Sequence, residues 1–466
     1  MTKQVDVVGA GLAGSEAALQ LAERGFRVRL FEMRPLVATP VHESDRCAEL
    51  VCSNSFKSTK PDSAAGMLKH ELDVLGSRVY RAALENAVPA GGALAVDRVA
   101  FSQSVTQAVD AAPNVERVVA EVVGIDSQGR VVARTDNVGT ERAFDPADAV
   151  VLASGPLSSD ALARSLSDLT GARHLAFYDA AAPIVEADSI DRSVVFSQSR
   201  YEDGGGDYLN APFTQEEYER FADELIKAQR VIKKDFETAD LFQACQPIEE
   251  IARKGVDAPR FGPLKPVGLT DPRTGRRPWA VVQLRAEDRA GQSFNLVGFQ
   301  TNLTFPEQRR VFRMIPGLEN AEFSRFGVMH RNTFVDAPRL LDRTLRLQSA
   351  EAAKLPVPVY VAGQLGGTEG YMEAVRSGLH AALAVSAFLL GRELPELPRE
   401  TAFGSLMAYA TDPETVDYQP MHVNFGIIEP LPQKVKSKRA RYEAYAQRGA
   451  QALDGHVAQL RERGLL

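Results

Sequence analysis

An α/β fold built on an open parallel sheet that holds a dinucleotide is predicted by three observations at the start of the chain. Val5-Asp6-Val7-Val8 is a short apolar run, three of its four residues β-branched. Gly9-Ala10-Gly11-Leu12-Ala13-Gly14 follows at once. Residues 15–22 then read as a helix that Gly25 ends before a second strand, residues 28–31, with Glu32 at its tip. In such a turn Gly9 permits the sharp reversal, Gly11 lets a pyrophosphate approach the main chain, and Gly14 lets helix and strand pack closely. The loop Ala10, Gly11, Leu12 and Ala13 brings the free N–H groups of the helix start to the phosphates. Glu32 lies 18 residues past Gly14, where a carboxylate accepts ribose hydroxyls. That acid disfavours a 2′-phosphate, so FAD or NAD is expected rather than NADP.

Length and composition set the outer limits. At 466 residues the chain is long for a single core, and two or three domains are expected. The longest apolar stretch, residues 379–390, contains His380 and Ser386 and is too short to span a bilayer. A polar start runs straight into the first strand, so no secretory signal is expected. Three cysteines, Cys47, Cys52 and Cys245, cannot build a disulfide framework, which points to the cytoplasm. The net charge of −7 gives no global sign of a polyanion partner. Residues 434–466 nevertheless carry eight basic side chains against three acidic ones, either a solvated face or an electrostatic footprint for a polyanion.

Further elements follow in order. Residues 33–61 form a long loop-rich stretch containing Cys47 and Cys52, unusual unless it has a task. Residues 63–75 and 99–111 read as helices, and residues 89–97 as a glycine-rich turn into a strand. Strand-like runs at 115–125, 131–137 and 149–153 lead into Ser154-Gly155-Pro156. A β-meander followed by a strand ending in small residues is the order found in FAD domains of the glutathione-reductase kind, where Gly155 would pass close to the nucleotide. Residues from about 177 to 323 break this pattern. They hold a charged amphipathic helix at 215–232 and strands at 279–284 and 294–299, read as an inserted α+β domain on an antiparallel sheet.

The chain then returns to the first domain. Residues 358–363 are a buried strand, 364–370 a glycine-rich turn with Gly363, Gln364 and Gly367, and 371–390 a long helix opening on Tyr371 and ending at Gly391. Such a helix can aim its N-terminus at the reactive end of a flavin. Gln364 stands where many FAD domains carry an Asp. No second GxGxxG joins a strand to a helix, which argues against a separate NAD(P)H domain. The division expected is 1–178 with 324–466 for FAD, and 179–323 inserted, on the substrate side.

The thiols carry the candidate chemistry. Cys47 and Cys52 have the C-x4-C spacing of flavin disulfide reductases, without the residues that usually surround such a pair. Two buried structural cysteines are a second reading, and Cys52 as a single thiol near the flavin is a third. Pro247 places Cys245 on a turn. No metal site is expected.

Several stretches together resemble one family. Besides residues 9–17 they are Glu49-Leu-Val-Cys-Ser-Asn-Ser55, residues 89–98, 178–185, 265–269, 280–285 and 297–301, Gly327-Val-Met-His-Arg-Asn-Thr-Phe334, and Glu369-Gly-Tyr371. The chain is similar over residues 3–430 to the folate- and FAD-dependent tRNA (uracil-5-)-methyltransferases, the TrmFO family. It resembles the related, larger MnmG/GidA flavoproteins only in general plan. The resemblance implies formation of 5-methyluridine at position 54 of the tRNA T-loop. Methylenetetrahydrofolate would give the carbon, reduced FAD the electrons, and NAD(P)H would recharge the flavin. It also implies Cys52 and Cys245 as the reactive thiols, with Cys52 preferred as nucleophile and Cys245 as base or its helper, and Cys47 as structural. His330, Arg331 and Asn332 would stand beside the folate, and Tyr371 at the flavin edge. Arg273, Arg276, Arg277 and the basic C-terminal helix would face tRNA phosphates; no obligate protein partner is evident. Two rival readings remain at this point: a flavin thiol-disulfide oxidoreductase using Cys47 and Cys52, and a tRNA-binding flavoprotein without chemistry.

Overall fold

The computed structural model describes residues 2–466 except 40, 137, 172–174, 202–205, 233–245 and 416–417, and the side chains of 175–179, 330 and 331 are likewise outside the description. The frame is a five-stranded, all-parallel sheet in the order Val359–Val361, Ala149–Leu152, Gln4–Val8, Arg27–Glu32, Val115–Val119. Its central strand is buried on both faces, as parallel sheets require, with its one buried charge, Asp6, paired to Arg29 of the neighbouring strand. The arrangement is a Rossmann-type α/β fold. Among the described residues, no helix is long and apolar enough to cross a membrane.

Two helices set how closely the layers approach. Leu12–Glu23 follows the first strand, and Tyr371–Leu389 lies against it. A methyl group on Gly378 would lie 2.1 Å from the Ala13 carbonyl oxygen, so only glycine permits this contact. The start of the first helix is equally tight, since a methyl group on Gly14 would lie 1.8 Å from the Gly9 carbonyl oxygen.

The apolar run at 115–125 is two strands rather than one. Val115–Val119 joins the parallel sheet, and Glu121–Ile125 starts a three-stranded antiparallel meander with Val131–Arg134 and Glu141–Ala143. Ala120 marks the break, its N–H donating to the Glu32 carbonyl. The charged helix ends at Lys227, earlier than its pattern implied, because the chain turns there to bridge Arg230 with Leu303. The helices Arg78–Glu85 and Asp160–Thr170 were not anticipated, although each is amphipathic and opens on a serine N-cap, Ser77 and Ser159.

Two large hydrophobic clusters divide the interior. One joins residues from Val5 to Leu166 with residues from Phe334 to Tyr445; the other runs from Ala182 to Ala321 around a six-stranded antiparallel sheet. That sheet runs Phe196–Ser197, Tyr208–Phe213, Ala280–Ala286, Ser293–Leu296, Ile184–Glu186, Phe323–Arg325. Between the clusters lies a two-stranded antiparallel ribbon of Leu175–Ala180 with Met329–Phe334, where the chain leaves and re-enters the first core.

Gly378→Val is expected to destabilise the protein by about 1–3 kcal/mol, the cost of overpacking a tight interface. Urea denaturation measures it. A variant as stable as the parent would show that the two helices can part without penalty.

Candidate functional site

The glycine turn opens into a cleft of about 360 Å³ at the carboxyl edge of the parallel sheet. The structure brings Gly9, Gly11, Leu12, Ala13, Glu32, Cys52, Gly155, Gly363, Gln364 and Tyr371 together on its wall. Gly9 takes φ +100°, and a methyl group there would strike the Ala153 carbonyl at 2.6 Å. A methyl group on Gly11, by contrast, would meet nothing within 4 Å. Gly11 is also the N-cap of the first helix and offers no side-chain cap, so the first-turn N–H groups face the cleft unclaimed by a cap. This cradle suits a pyrophosphate.

Ala10, Gly14 and Gly367 do not line the cleft. Ala10 is buried and donates its N–H to Glu32 Oε2 at 3.0 Å, and Gly14 serves helix–strand packing. Gly367 packs under Tyr418, where an added methyl group would meet the phenol oxygen at 1.6 Å. Asn332 is fully buried away from the cleft wall. The main chain of His330 and Arg331 lies in the ribbon opposite Asp179 and Tyr178. Cys245 lies outside the described residues.

Glu32 is held more firmly than its position in the motif implied. Its Oε1 accepts from the Arg34 N–H at 3.1 Å and from Arg34 Nε at 2.8 Å. Arg34 in turn reaches Glu49 Oε2 at 3.2 Å. Burial works against the charged carboxylate, but the Arg34 hydrogen bond and charge outweigh it and hold Glu32 below the usual range. A carboxylate has about four acceptor sites, so Glu32 keeps capacity for a ribose hydroxyl. His42, on the same wall, donates or accepts at Thr39 Oγ1, 2.6 Å away. Burial, and then the Arg34 charge, pull its pKa down to about 4.

Cys52 sits half-buried on the cleft wall, clamped from three directions. The Tyr371 hydroxyl accepts the N–H groups of Cys52 at 3.0 Å and Ser53 at 3.2 Å. Arg285, from the second core, donates to Ser53 Oγ and Asn54 Oδ1, both at 2.7 Å. Asn54 donates onward to the Val96 and Ala286 carbonyls. Cys52 Sγ lies 3.6 Å from the Ala180 carbonyl at the end of the ribbon. Arg98, paired with Glu287 at 2.8 Å, also reaches the Leu50 carbonyl. Burial works to lower the Arg98 pKa, but the Glu287 carboxylate more than offsets it, with smaller contributions from Tyr371 and Cys52. The Arg98–Glu287 ion pair thus packs behind the segment that carries Cys52. Burial first, and then the Cys52 sulfur, push the Tyr371 phenol well up, so it stays protonated.

Cys47 has a different setting. It is fully buried, takes an N–H···Oγ1 bond to Thr106 at 2.9 Å, and lies 3.9 Å from Arg117 Nη1. Burial raises its thiol, it does not line the cleft, and both it and Cys52 are free thiols. Sequence reasoning missed Arg34, Glu49, Arg98, Glu287 and Arg285. Glu49, Arg98 and Arg285 lie in stretches that carry the resemblance, but the partners that give Arg98, Glu287 and Arg285 their roles are distant in the chain.

The family model for glucose inhibited division protein A matches residues 4–393. Among solved structures, Aquifex aeolicus GidA in two crystal forms superposes with TM-scores of 0.69 and 0.70, at 19% and 18% identity. Each comparison covers all of this chain, with 74% and 76% of GidA, and shows a shared fold. The methylenetetrahydrofolate–tRNA-(uracil-5-)-methyltransferase TrmFO of Bacillus subtilis (strain 168) is 47% identical over 96% of this chain and 97% of its own. The TrmFO proteins of Synechococcus sp. (strain JA-3-3Ab) and Anoxybacillus flavithermus are 50% and 48% identical, over 94% and 100% of their lengths. A Rossmann-type cleft with Cys52 on its wall, and this identity along nearly the whole of both chains, place the protein in the GidA family and, within it, among the TrmFO proteins.

Proposed function

We propose that this chain is a folate- and FAD-dependent tRNA (uracil-5-)-methyltransferase, forming 5-methyluridine at position 54 of the T-loop in the cytoplasm. The observation that carries the reading is that the glycine cradle and the clamped Cys52 thiol share one cleft. FAD fits that cleft: the open space at Gly11 and the uncapped helix take the pyrophosphate, Glu32 takes the ribose, and Gly155, Gly363, Gln364 and Tyr371 lie along the rest. When bound and reduced, FAD supplies the two electrons that turn the methylene of methylenetetrahydrofolate into methyl, with NAD(P)H as the reductant that recharges it. Residues 1–178 and 324–466 are assigned to FAD, and 179–323 to the substrate side. His330 and Arg331, whose side chains lie outside the described residues, remain assigned to folate, and Asn332, fully buried away from the cleft wall, does not.

The chain's own residues supply the rest of the chemistry. Uracil C5 is a weak nucleophile until a group adds to C6. The Cys52 thiolate adds there, and the electron pair of the C5–C6 bond moves onto C5 and the adjacent carbonyl. C5 then takes the one-carbon unit. Cys245, or a group it assists, removes the C5 proton. Expulsion of the thiolate from C6 restores the ring double bond and frees Cys52. The Tyr371 hydroxyl holds the Cys52 and Ser53 main chain, and Arg285 holds the Ser53 and Asn54 side chains beside it, against the pull of the adduct.

The described flanks of Cys245 support its role. Val231 donates to the Asn302 carbonyl and Ile248 to the Gln300 carbonyl, and Gln300 lines the cleft. Glu249 fixes the second flank, accepting from Thr301 Oγ1 at 3.0 Å and Asn302 N at 2.6 Å. Burial raises the Glu249 carboxyl to about 7, against the hydrogen bonds that lower it.

With methylenetetrahydrofolate, NAD(P)H and a T-arm transcript, the protein is expected to yield 5-methyluridine. Cys52→Ala and Cys245→Ala should each cut the rate by orders of magnitude, while Cys47→Ala stays within about twofold of the parent. Full activity in both of the first two variants would overturn the mechanism. Loss of activity in Cys47→Ala with a Cys47–Cys52 disulfide in the oxidised parent would favour thiol-disulfide exchange.

Glu249 gives a pH signature. Its folded pKa lies above the unfolded value, so the native state holds the proton more tightly. Stability is then greatest below about pH 4.5 and falls as pH rises to about 7, by on the order of 3 kcal/mol from this group. Glu249→Gln should remove that part of the slope in urea denaturation across the range. An unchanged slope would show that another group carries it.

A further inference from the structure

A column of aromatic rings rises from the second core, its outer two rings outside both hydrophobic clusters. Phe326 stacks on Phe305 with centroids 4.9 Å apart and on Phe323 at 5.2 Å, both at 16° between planes. Phe323 packs against the second core and roots the column; Phe305 and Phe326 belong to neither cluster. Phe305 is 49% exposed. The Arg309 guanidinium lies 5.2 Å from the Phe326 centroid and forms no ion pair with any described residue. Its neighbour Arg310, by contrast, is occupied by Glu307 and Glu224.

The column is built rather than incidental. Gln308 is fully buried and grips both ring-bearing segments: its Oε1 accepts from the Gly327 N–H at 2.8 Å, and its Nε2 donates to the Leu303 and Gly327 carbonyls, also at 2.8 Å. Phe305 begins a helix, Phe305–Phe312, whose second residue is Pro306, so its backbone is fixed as well. Two contacts place the column at the cleft. Arg325, next to Phe326, donates to the Val41 carbonyl at 2.6 Å, beside the wall residue His42. On the other side, Gly327 lies against Ala181, next to the Ala180 carbonyl that Cys52 Sγ contacts.

A preorganised, half-open aromatic face with an unpaired cation is the chemistry that takes an unstacked nucleobase and its phosphate. Resting on the reaction proposed above, we propose that Phe305, supported by Phe326 and Phe323, stacks an unpaired base of the RNA at the cleft mouth while Arg309 meets the adjoining phosphate. Reaching a uracil inside the cleft requires the loop to be opened, and a neighbouring base must then find a new stacking partner. The column offers one.

The test is made on the full-length protein with FAD bound, using a T-arm transcript. Phe305→Ala should raise the RNA KM and Kd about tenfold, within the usual worth of one base–aromatic stack, and leave kcat and the folate KM near the parent values. Phe305→Leu, which keeps the apolar volume and discards the π face, should behave as the alanine variant, and Phe305→Trp should restore affinity. Arg309→Gln should flatten the salt dependence of RNA binding. Abasic nucleotides walked through the loop should identify one position at which parent and Phe305→Ala bind equally. RNA affinity unchanged in both Phe305→Ala and Phe305→Leu, or an abasic walk with no such position, would overturn the proposal. A raised folate KM with RNA binding intact would also overturn it, assigning the column to the folate tail. Absence of 5-methyluridine with the parent protein refutes the reaction instead, whereas the binding arms still decide the stacking role.

Discussion

The close contact between the first helix and the Tyr371–Leu389 helix is the constraint on which the site depends. Gly378 lets the second helix settle on the Ala13 carbonyl, and Gly363 brings the turn before it to 3.0 Å from the Ala13 side chain, measured from where its own methyl group would be. Both helices thus present their N-termini to one cleft, the first through Gly11 to Ala13 and the second through Gly370 to Ala374. Larger residues at these points would separate the helices, and with them the phosphate cradle and the tyrosine that holds the Cys52 main chain. The site is therefore set by backbone approach before any polar contact forms.

The second constraint comes from the inserted segment. Arg285 belongs to a strand in the second core, yet its guanidinium is spent on Ser53 and Asn54 of the first. Glu287, two residues on, pairs with Arg98, whose own N–H donates to the Glu287 carbonyl. These are buried, charge-assisted bonds. Removing one partner leaves the other desolvated and unpaired, which costs far more than the bond contributes when intact. The inserted segment thus acts on the thiol as well as on whatever binds outside it, and the Cys52 corner has its shape only when both cores are assembled.

What was legible in the sequence was what is local. The turn from Gly9 to Gly14 is read from six consecutive residues, because each glycine answers a backbone demand met within that stretch. Gly391, at φ +63°, ends its helix as its position implied. The run from Val115 misled because strand propensity does not report which sheet a strand joins: Ala120 divides it, and the division follows from the Glu32 carbonyl, distant in sequence. The roles of Arg98 and Arg285 were hidden for a related reason. An arginine in a loop or strand has no periodic signature, and its role here is fixed by acceptors up to 232 positions away. The aromatic column escaped notice likewise, since Phe305, Phe323 and Phe326 fit no single helical or strand repeat.

The charges around the cleft bear on how an anionic cofactor is held. Arg34 is already committed to Glu32 and Glu49, and Lys57 lies 3.5 Å from Glu373. His42 titrates at about 4, and burial, followed by the Lys57 charge, lowers His422 as well, so neither imidazole carries charge at neutral pH. The cationic side chains on the wall are thus neutralised by carboxylates before any ligand arrives. A pyrophosphate at Gly11 must find its compensation in main-chain N–H groups and the positive end of the first helix. That arrangement keeps the phosphate end tight without strong side-chain charge, while Arg98 and Arg285 are spent on Glu287, Ser53 and Asn54 around the Cys52 corner.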